Sequence, residues 1–257
     1  MARIDPDLAL ALELADAADA ISLPRFRAAD LRVETKPDRT PVTAADQAVE
    51  KEIRARLARQ RPDDAIVGEE LGVTGGGERR WIVDPIDGTI SFLRGVPIWA
   101  FLLALEVDGE MRVGVASAPA LGRRWWAAKG EGAFANGDAI RVSAVSAVED
   151  AMLCYTSGRS FDQYGLGEQF RGLSKRCWAA RGFSDFWGHV LVAEGSADIS
   201  LEPVMNLWDN AAIQVIVEEA GGRFTDLEGV ARSDGGNALS SNGRLHDDVL
   251  AALALPA

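Results

Sequence analysis

The segment Trp81-Ile-Val-Asp84-Pro85-Ile86-Asp87-Gly88-Thr89 runs an apolar stretch directly into two carboxylates and a glycine. A strand end delivers its side chains to a fixed place. Pro85 stiffens the turn by fixing φ, so Asp84 and Asp87 are expected to be held together rather than splayed into solvent. Two other acids have a similar setting. Glu69-Glu70 follow the apolar pair Ile66-Val67 and a glycine, and Asp209 stands in the first turn of a helix opening at Asn206-Leu207-Trp208, after a short strand that ends at Glu202. Four carboxylates converging in a half-buried cleft would each face a desolvation penalty of roughly several kcal/mol unless paired. Few cations lie nearby in the chain. An all-oxygen donor set suits Mg²⁺ or Mn²⁺, whereas two histidines, His189 and His246, are too few and too scattered for a zinc centre.

Each acid taken singly also has a purely structural reading. Asp84 and Asp87 could be turn formers, Asp209 could favour the positive end of its helix, and Asp46 could be only the acidic half of a capping box with Thr43. Conjunction favours the metal, because three independent strand or helix ends carry acids beside Gly, Pro or Trp, and a solvated acidic face needs no such rigid supports.

The bounds on the chain agree with this chemistry. With 257 residues and 47% hydrophobic composition it can bury a core in one compact domain or two packed lobes. A net charge of −12 and a pI near 4.7 oppose attraction to nucleic acid or an anionic membrane. An anionic substrate would therefore need a recruited cation. Cys154 and Cys177 lack zinc-type or redox-type spacing and read as buried thiols in a reducing compartment. No window reaches the ~18 apolar residues of a membrane span, and the acidic N-terminus is unlike a signal peptide, which predicts a cytoplasmic protein.

The elements that must position the acids follow from periodicity. Residues 7–22 have helical spacing, and Thr43 caps a second helix whose buried stripe is Val49, Ile53 and Leu57. Strands are expected at Ala65–Val67, Trp81–Val83, Ile98–Val107, Arg112–Ala116, Arg124–Ala128 and Ile140–Val142, a largely antiparallel meander. Beyond it, strands at Met152–Thr156, Trp178–Arg181, Asp198–Leu201 and Gly222–Thr225 alternate with helices over 162–174, 184–194, 207–220 and 245–254. The expected organisation is an N-terminal α+β lobe, 1–142, carrying most metal-binding motifs, and a C-terminal α/β lobe, 143–257, completing the site in a cleft between them.

Gly68-Glu69-Glu70, Asp84-Pro85-Ile86-Asp87-Gly88-Thr89 and Trp208-Asp209 with Glu218-Glu219-Ala220-Gly221-Gly222 resemble the inositol monophosphatase family, and Thr43-Ala-Ala-Asp46 looks like its upstream threonine-acid motif. The likeness spans about residues 8 to 250. It implies an α/β (α+β) fold built as a layered αβαβα sandwich, and metal-assisted hydrolysis of phosphate monoesters. It also implies ligand roles: Glu69, Asp84 and the Ile86 carbonyl for one Mg²⁺, and Asp84, Asp87 and Asp209 for a second, with a third possible near Glu69 and Asp46 and Mn²⁺ as a substitute. Thr89 and Asp46, as a hydrogen-bonded pair, would orient and deprotonate the attacking water, with Glu69 as a further catalytic residue, and the amides of Gly88 and Thr89 would bind phosphate. Relatives commonly pair as homodimers.

A narrower likeness, carried by Ser117-Ala-Pro-Ala-Leu, by Arg123 to Phe134, and by Asp185-Phe-Trp with Leu191-Val-Ala-Glu-Gly195, is to the histidinol-phosphate phosphatase branch. Its substrate would bring an ammonium and an imidazole, for which Asp185 and Glu202 are the candidate partners. Ile90-Ser91 depart from the polar or basic residue and Asn that many relatives place after the threonine. The alternatives are an inositol-1-phosphate or broader sugar-phosphate phosphatase, and a non-catalytic metal-binding regulatory protein. Two other phosphatase designs fail, a cysteine phosphate loop on spacing and an aspartyl-phosphate pair on position. Cys154 and Cys177 reach an arginine after four and three residues where a phosphate loop needs five, and Asp5-Pro6-Asp7 sits at a helix start.

Overall fold

The computed structural model describes residues 5–35, 41–183 and 185–254. Met1–Ile4, most of the extended stretch after Glu34, and Ser184 lie outside the described residues. Helix α1 (Pro6–Ser22) starts at Asp5, whose side chain accepts from the backbone N–H groups of Asp7 and Leu8, with Pro6 at the first helical position. A short ribbon of β1 (Val33–Thr35) and β2 (Pro41–Thr43) leads into α2 (Ala44–Gln60). Thr43 and Asp46 close a reciprocal capping box there, as the motif predicts.

The central sheet follows as β3 (Ala65–Gly68), β4 (Gly72–Thr74), β5 (Arg79–Asp87), the short helix α3 (Thr89–Leu93), then β6 (Ala100–Val107), β7 (Glu110–Ala118), β8 (Arg123–Ala128), β9 (Gly132–Ala135) and β10 (Asp138–Ile140). Its order is β10-β9-β8-β7-β6-β5-β3-β4. The run from β5 to β10 is the expected antiparallel meander, and β3 lies parallel to β5. The last hairpin differs from the expected Ile140–Val142 strand. Asn136-Gly137, both at positive φ, form a two-residue turn that pairs Asp138 with Ala135.

The C-terminal portion supplies β11 (Met152–Tyr155), α4 (Gly158–Gln163), α5 (Gly167–Arg176), β12 (Ala179–Arg181), α6 (Phe186–Ala193), β13 (Ile199–Glu202), α7 (Leu207–Glu219), β14 (Arg223–Thr225), β15 (Ala238–Ser241) and α8 (His246–Leu253). Where one helix over 162–174 was expected there are two, α4 and α5, with Gly165 at a left-handed φ between them. The five-stranded sheet is ordered β12-β11-β13-β15-β14, with β15 antiparallel to both neighbours.

Five layers result, as an αβαβα sandwich. α1 and α2 bury Leu14, Val49, Ile53 and Leu57 against Trp81, Phe101 and Leu103 on one face of the eight-stranded sheet. α6 and α7 fill the space between the two sheets with Phe186, Val190, Ala212, Ile213 and Ile216, reaching Ala116 on one side and Phe224 and Ala238 on the other. Phe161, Phe170, Leu173 and Val249 of α4, α5 and α8 cover the outer face of the smaller sheet. α7 lies so close to β7 that a Cβ on Gly114 would stand 2.3 Å from the Ala212 carbonyl oxygen, a contact only glycine permits.

Candidate active site

β5 carries the first two carboxylates, and it extends further than the sequence suggests. The expected strand ended at Val83, whereas the observed one continues through Asp87. Three positions apart on a regular strand, Asp84 and Asp87 would face opposite sides of the sheet. The register against β6 prevents this: Asp84 opposes Leu102 and Asp87 opposes Ala100, so an extra residue is accommodated at Pro85-Ile86. Pro85 has no N–H to lend to the ladder, which makes it a natural site for the bulge. The Asp84 Oδ1 atom then accepts the Ile86 N–H at 3.0 Å.

Asp209 arrives from the other side on α7. Its Oδ2 accepts from the Asn206 backbone N–H at 2.7 Å and from the Asn206 side-chain amide at 3.2 Å, a capping box that fixes its rotamer. Ligand oxygens of Asp84, Asp87 and Asp209 lie within 4.8 Å of one another. Glu69, at the turn after β3, joins them on the wall of a cavity of about 700 Å³ that also takes in Gly88, Thr89, Ile90, Phe183 and Asp185.

Such proximity has an electrostatic consequence. Desolvation, and then repulsion from Glu69, Asp87 and Asp209, raises the Asp84 carboxyl well above the usual carboxylate range. Asp87 is raised in the same way by burial and by Asp185 and Asp209, against which the Phe186 N–H acts in the lowering direction. Burial pushes Asp209 up to about 7, with Glu69 adding to the rise. Buried carboxylates in a cavity lined by no Lys, Arg or His among the described residues fit a divalent ion with oxygen ligands, which would replace the protons they otherwise retain.

Asp46 lies beside the cluster, fully buried, with its carboxyl pushed up to about 6 by desolvation and, in smaller part, by Glu69. Its Oδ2 accepts both the Thr43 backbone N–H at 2.8 Å and the Thr43 hydroxyl at 2.5 Å, while Oδ1 is buried with no hydrogen-bond partner. The expected direct pair of Thr89 with Asp46 differs in detail. The Thr89 hydroxyl donates to the Ile86 carbonyl at 3.1 Å, and a hydroxyl has one proton to give. Gly88 precedes it at φ +78°, and a Cβ there would meet the Ile98 carbonyl oxygen at 3.0 Å.

The two acids proposed for recognition separate. Asp185 lines the cavity, with Oδ2 only 3.6 Å from where a Gly88 Cβ would be. Glu202, at the end of β13, is buried and is not among the residues that line the cavity. Ile90, 69% exposed, forms part of the rim. Both cysteines are buried, as expected.

One supporting residue was not anticipated. Glu50, buried on α2, accepts from the N–H groups of Glu70 at 2.7 Å and Leu71 at 3.1 Å and from Arg54 at 2.8 Å, bracing the turn that presents Glu69. Gly68 admits it, since a Cβ there would fall 1.9 Å from Glu50 Oε1. The available signal was the i, i+4 spacing of Asp46 and Glu50 on the face that carries Val49 and Ile53.

Residues 4–254 match the model of the inositol monophosphatase family. The chain belongs to that family. Among inositol monophosphatase relatives it is similar to the histidinol-phosphatase of Mycobacterium tuberculosis, 53% identical over 96% of this chain and 97% of that protein. It is 50% identical to the histidinol-phosphatase of Streptomyces coelicolor over 96% of each chain. Its fold superposes on an inositol monophosphatase from Zymomonas mobilis with a TM-score of 0.87 and 32% identity, covering 97% of this chain and 98% of that one. The family is metal-dependent, and the Asp84, Asp87 and Asp209 group is the cluster that suits a cation among the described residues. No described helix is long and apolar enough to cross a membrane.

Proposed function

We propose that this protein is a Mg²⁺-dependent histidinol-phosphatase, hydrolysing histidinol phosphate to histidinol and phosphate. The observation that carries the chemistry is the convergence of Asp84, Asp87 and Asp209, each raised by burial with repulsion from Glu69 adding to the rise. The similarity to two histidinol-phosphatases over nearly the whole chain supports the substrate, and the carboxylate of Asp185 on the cavity wall suits an ammonium group.

Glu69, Asp84 and the Ile86 carbonyl would hold one ion, and Asp84, Asp87 and Asp209 a second, Mn²⁺ serving in place of Mg²⁺. Bound divalent ions supply a polarised phosphate and a more acidic water in such sites. The chain's own groups orient the rest. Thr89 sets the position of the Ile86 carbonyl through its hydrogen bond and is near enough to the phosphate turn to align water. The unpartnered Oδ1 of Asp46 can accept a proton, and its raised affinity for protons suits that role. The backbone of Gly88 and Thr89 lies open to the cavity because residue 88 has no side chain, which lets phosphate oxygens approach the amides. An acidic protein can thus bind an anion without a basic patch.

Residues 1–142 would supply most ligands and 143–257 would complete the site. The 75% exposed Trp178, beside the edge strand β12, favours a homodimer, which light scattering of the purified protein would test. We place the enzyme in the cytoplasm. Phosphate release from histidinol phosphate and from inositol 1-phosphate, with Mg²⁺ and with EDTA, tests the function. Faster Mg²⁺-dependent release from histidinol phosphate is the expected result. Preference for the inositol ester would overturn the substrate, and release insensitive to EDTA would overturn the chemistry.

A further inference from the structure

Asp185 occupies the cavity wall in an unusual backbone state, φ +42° and ψ −140°, which a residue with a Cβ rarely adopts. Two neighbours give that state a use. The next amide, Phe186 N–H, donates to Oδ2 of the metal-site residue Asp87 at 2.8 Å. Beside it, Thr156 follows the end of β11, the strand paired with β12. Its hydroxyl accepts the Asp185 backbone N–H at 3.0 Å and donates to Asp185 Oδ1 at 3.3 Å.

A hydroxyl that accepts from a residue's main chain and donates to the same residue's side chain fixes both the backbone and χ1 of its partner. The second oxygen, Oδ2, then lies over Gly88, at the turn assigned to phosphate. We infer that Thr156 is a positioning residue for substrate recognition: its hydroxyl holds the Asp185 carboxylate at a set distance from the phosphate turn, so that one substrate is measured between its phosphate and its ammonium. This rests on the substrate reading above. A phosphate monoester without a cationic group has nothing to gain from that arrangement. A valine at 156 would keep the shape and remove both hydrogen bonds.

The test compares kcat and KM of the wild type, Thr156→Val, Thr156→Ser and Asp185→Gly on histidinol phosphate and on phenyl phosphate, with melting curves for each. Asp185→Gly relaxes the backbone while deleting the carboxylate. The expected result is that Thr156→Val lowers the ratio of kcat/KM for histidinol phosphate to that for phenyl phosphate by about tenfold, mainly through KM. Thr156→Ser should restore the ratio, and Thr156→Val should add no further change in the Asp185→Gly background. An equal fall on both substrates, an unchanged ratio, or an added effect in the Asp185→Gly background would each overturn the inference. If Thr156→Val does not fold, Thr156→Ala gives the same comparison. A wild type that cleaves phenyl phosphate but not histidinol phosphate would instead remove the substrate reading, a distinct result that takes the inference with it.

Discussion

The backbone N–H of Phe186 donates to Oδ2 of Asp87, joining the first turn of α6 to the bulged end of β5 across 99 positions of sequence. The interaction needs an acceptor oxygen and no charge. Asp87→Asn can therefore keep the hydrogen bond while losing the anionic ligand. Turnover should drop by about three orders of magnitude, the scale for removing a member of a catalytic constellation, with the circular dichroism spectrum and cooperative unfolding retained. Near-normal activity would place the reacting centre elsewhere.

The raised carboxylates predict a pH-dependent stability that divalent ions reverse. In the folded metal-free chain Asp46 and Asp209 keep their protons up to about 6 and about 7, while the unfolded chain releases them near ~4. The folded state binds more protons between those values, so these groups remove stability as pH rises through that window, by on the order of a few kcal/mol. His189 and His246, buried neutral and pushed down to about 3 and about 4, work in the opposite direction below their ordinary range. The clean measurement is the gain in urea midpoint on adding Mg²⁺ at pH 5 and at pH 7.5. The gain should be larger at pH 7.5, and equal gains would contradict the electrostatic account.

Gly88→Ala puts a Cβ 3.0 Å from the Ile98 carbonyl at a backbone φ of +78°. The strain should lower stability by roughly 1–2 kcal/mol. Activity should fall by more than stability accounts for, because the added methyl also narrows the approach to the turn. Product inhibition by inorganic phosphate reports the second effect separately, and an unaltered phosphate inhibition constant would argue against phosphate lying there.

Glu50→Gln leaves the fold of α2 intact but replaces a charged acceptor of the Glu70 and Leu71 amides with a neutral one. Losing an outer support of this kind typically weakens metal affinity by about 10–100-fold. The Mg²⁺ concentration for half-maximal activity should rise accordingly, while activity at saturating Mg²⁺ recovers most of its value. A variant dead at every Mg²⁺ concentration would give Glu50 a different role.

At Gly114 the closest neighbour is the main chain of α7, so Gly114→Ala cannot be absorbed by a side-chain rotation. Overpacking of this kind costs about 1–3 kcal/mol. Because α7 carries Asp209, the shift should also reduce Mg²⁺ affinity, detectable by titration calorimetry. A destabilised variant with wild-type affinity would show that α7 bends without moving its first turn.

The identities of the acids and the capping box of Thr43 with Asp46 were legible in the sequence, since each rests on short-range spacing, whereas the layered architecture was implied by the resemblance to the family. Asp84 and Asp87 were recognised as a pair, but the device that aims them to one side was not: a bulge depends on the register against β6, which lies in another segment. β15 escaped notice because Ala238-Leu-Ser-Ser241 has no β-branched or aromatic residue, although it sits between two strands in the middle of its sheet. The Asn136-Gly137 turn carries a local signature, since a two-residue hairpin turn needs positive φ at both positions and Asn and Gly tolerate it. Glu202 illustrates the opposite limit, because its distance from Asp209 along the chain does not fix whether a strand-end residue lines the cavity, and Glu202 is not among its lining residues.

Three of the acids assigned to the hydrolytic centre, Glu69, Asp84 and Asp87, are borne by the eight-stranded sheet, whereas Thr156, Phe183 and Asp185 come from loops at the ends of β11 and β12 in the smaller sheet. Under the proposed roles, reactivity and selectivity have separate foundations, with α7 wedged between them as a common keel. Loops on the smaller sheet can be rewritten to admit a different alcohol while the apparatus that severs the ester is left alone, so a family sharing one reaction can diversify its diet without rebuilding its teeth.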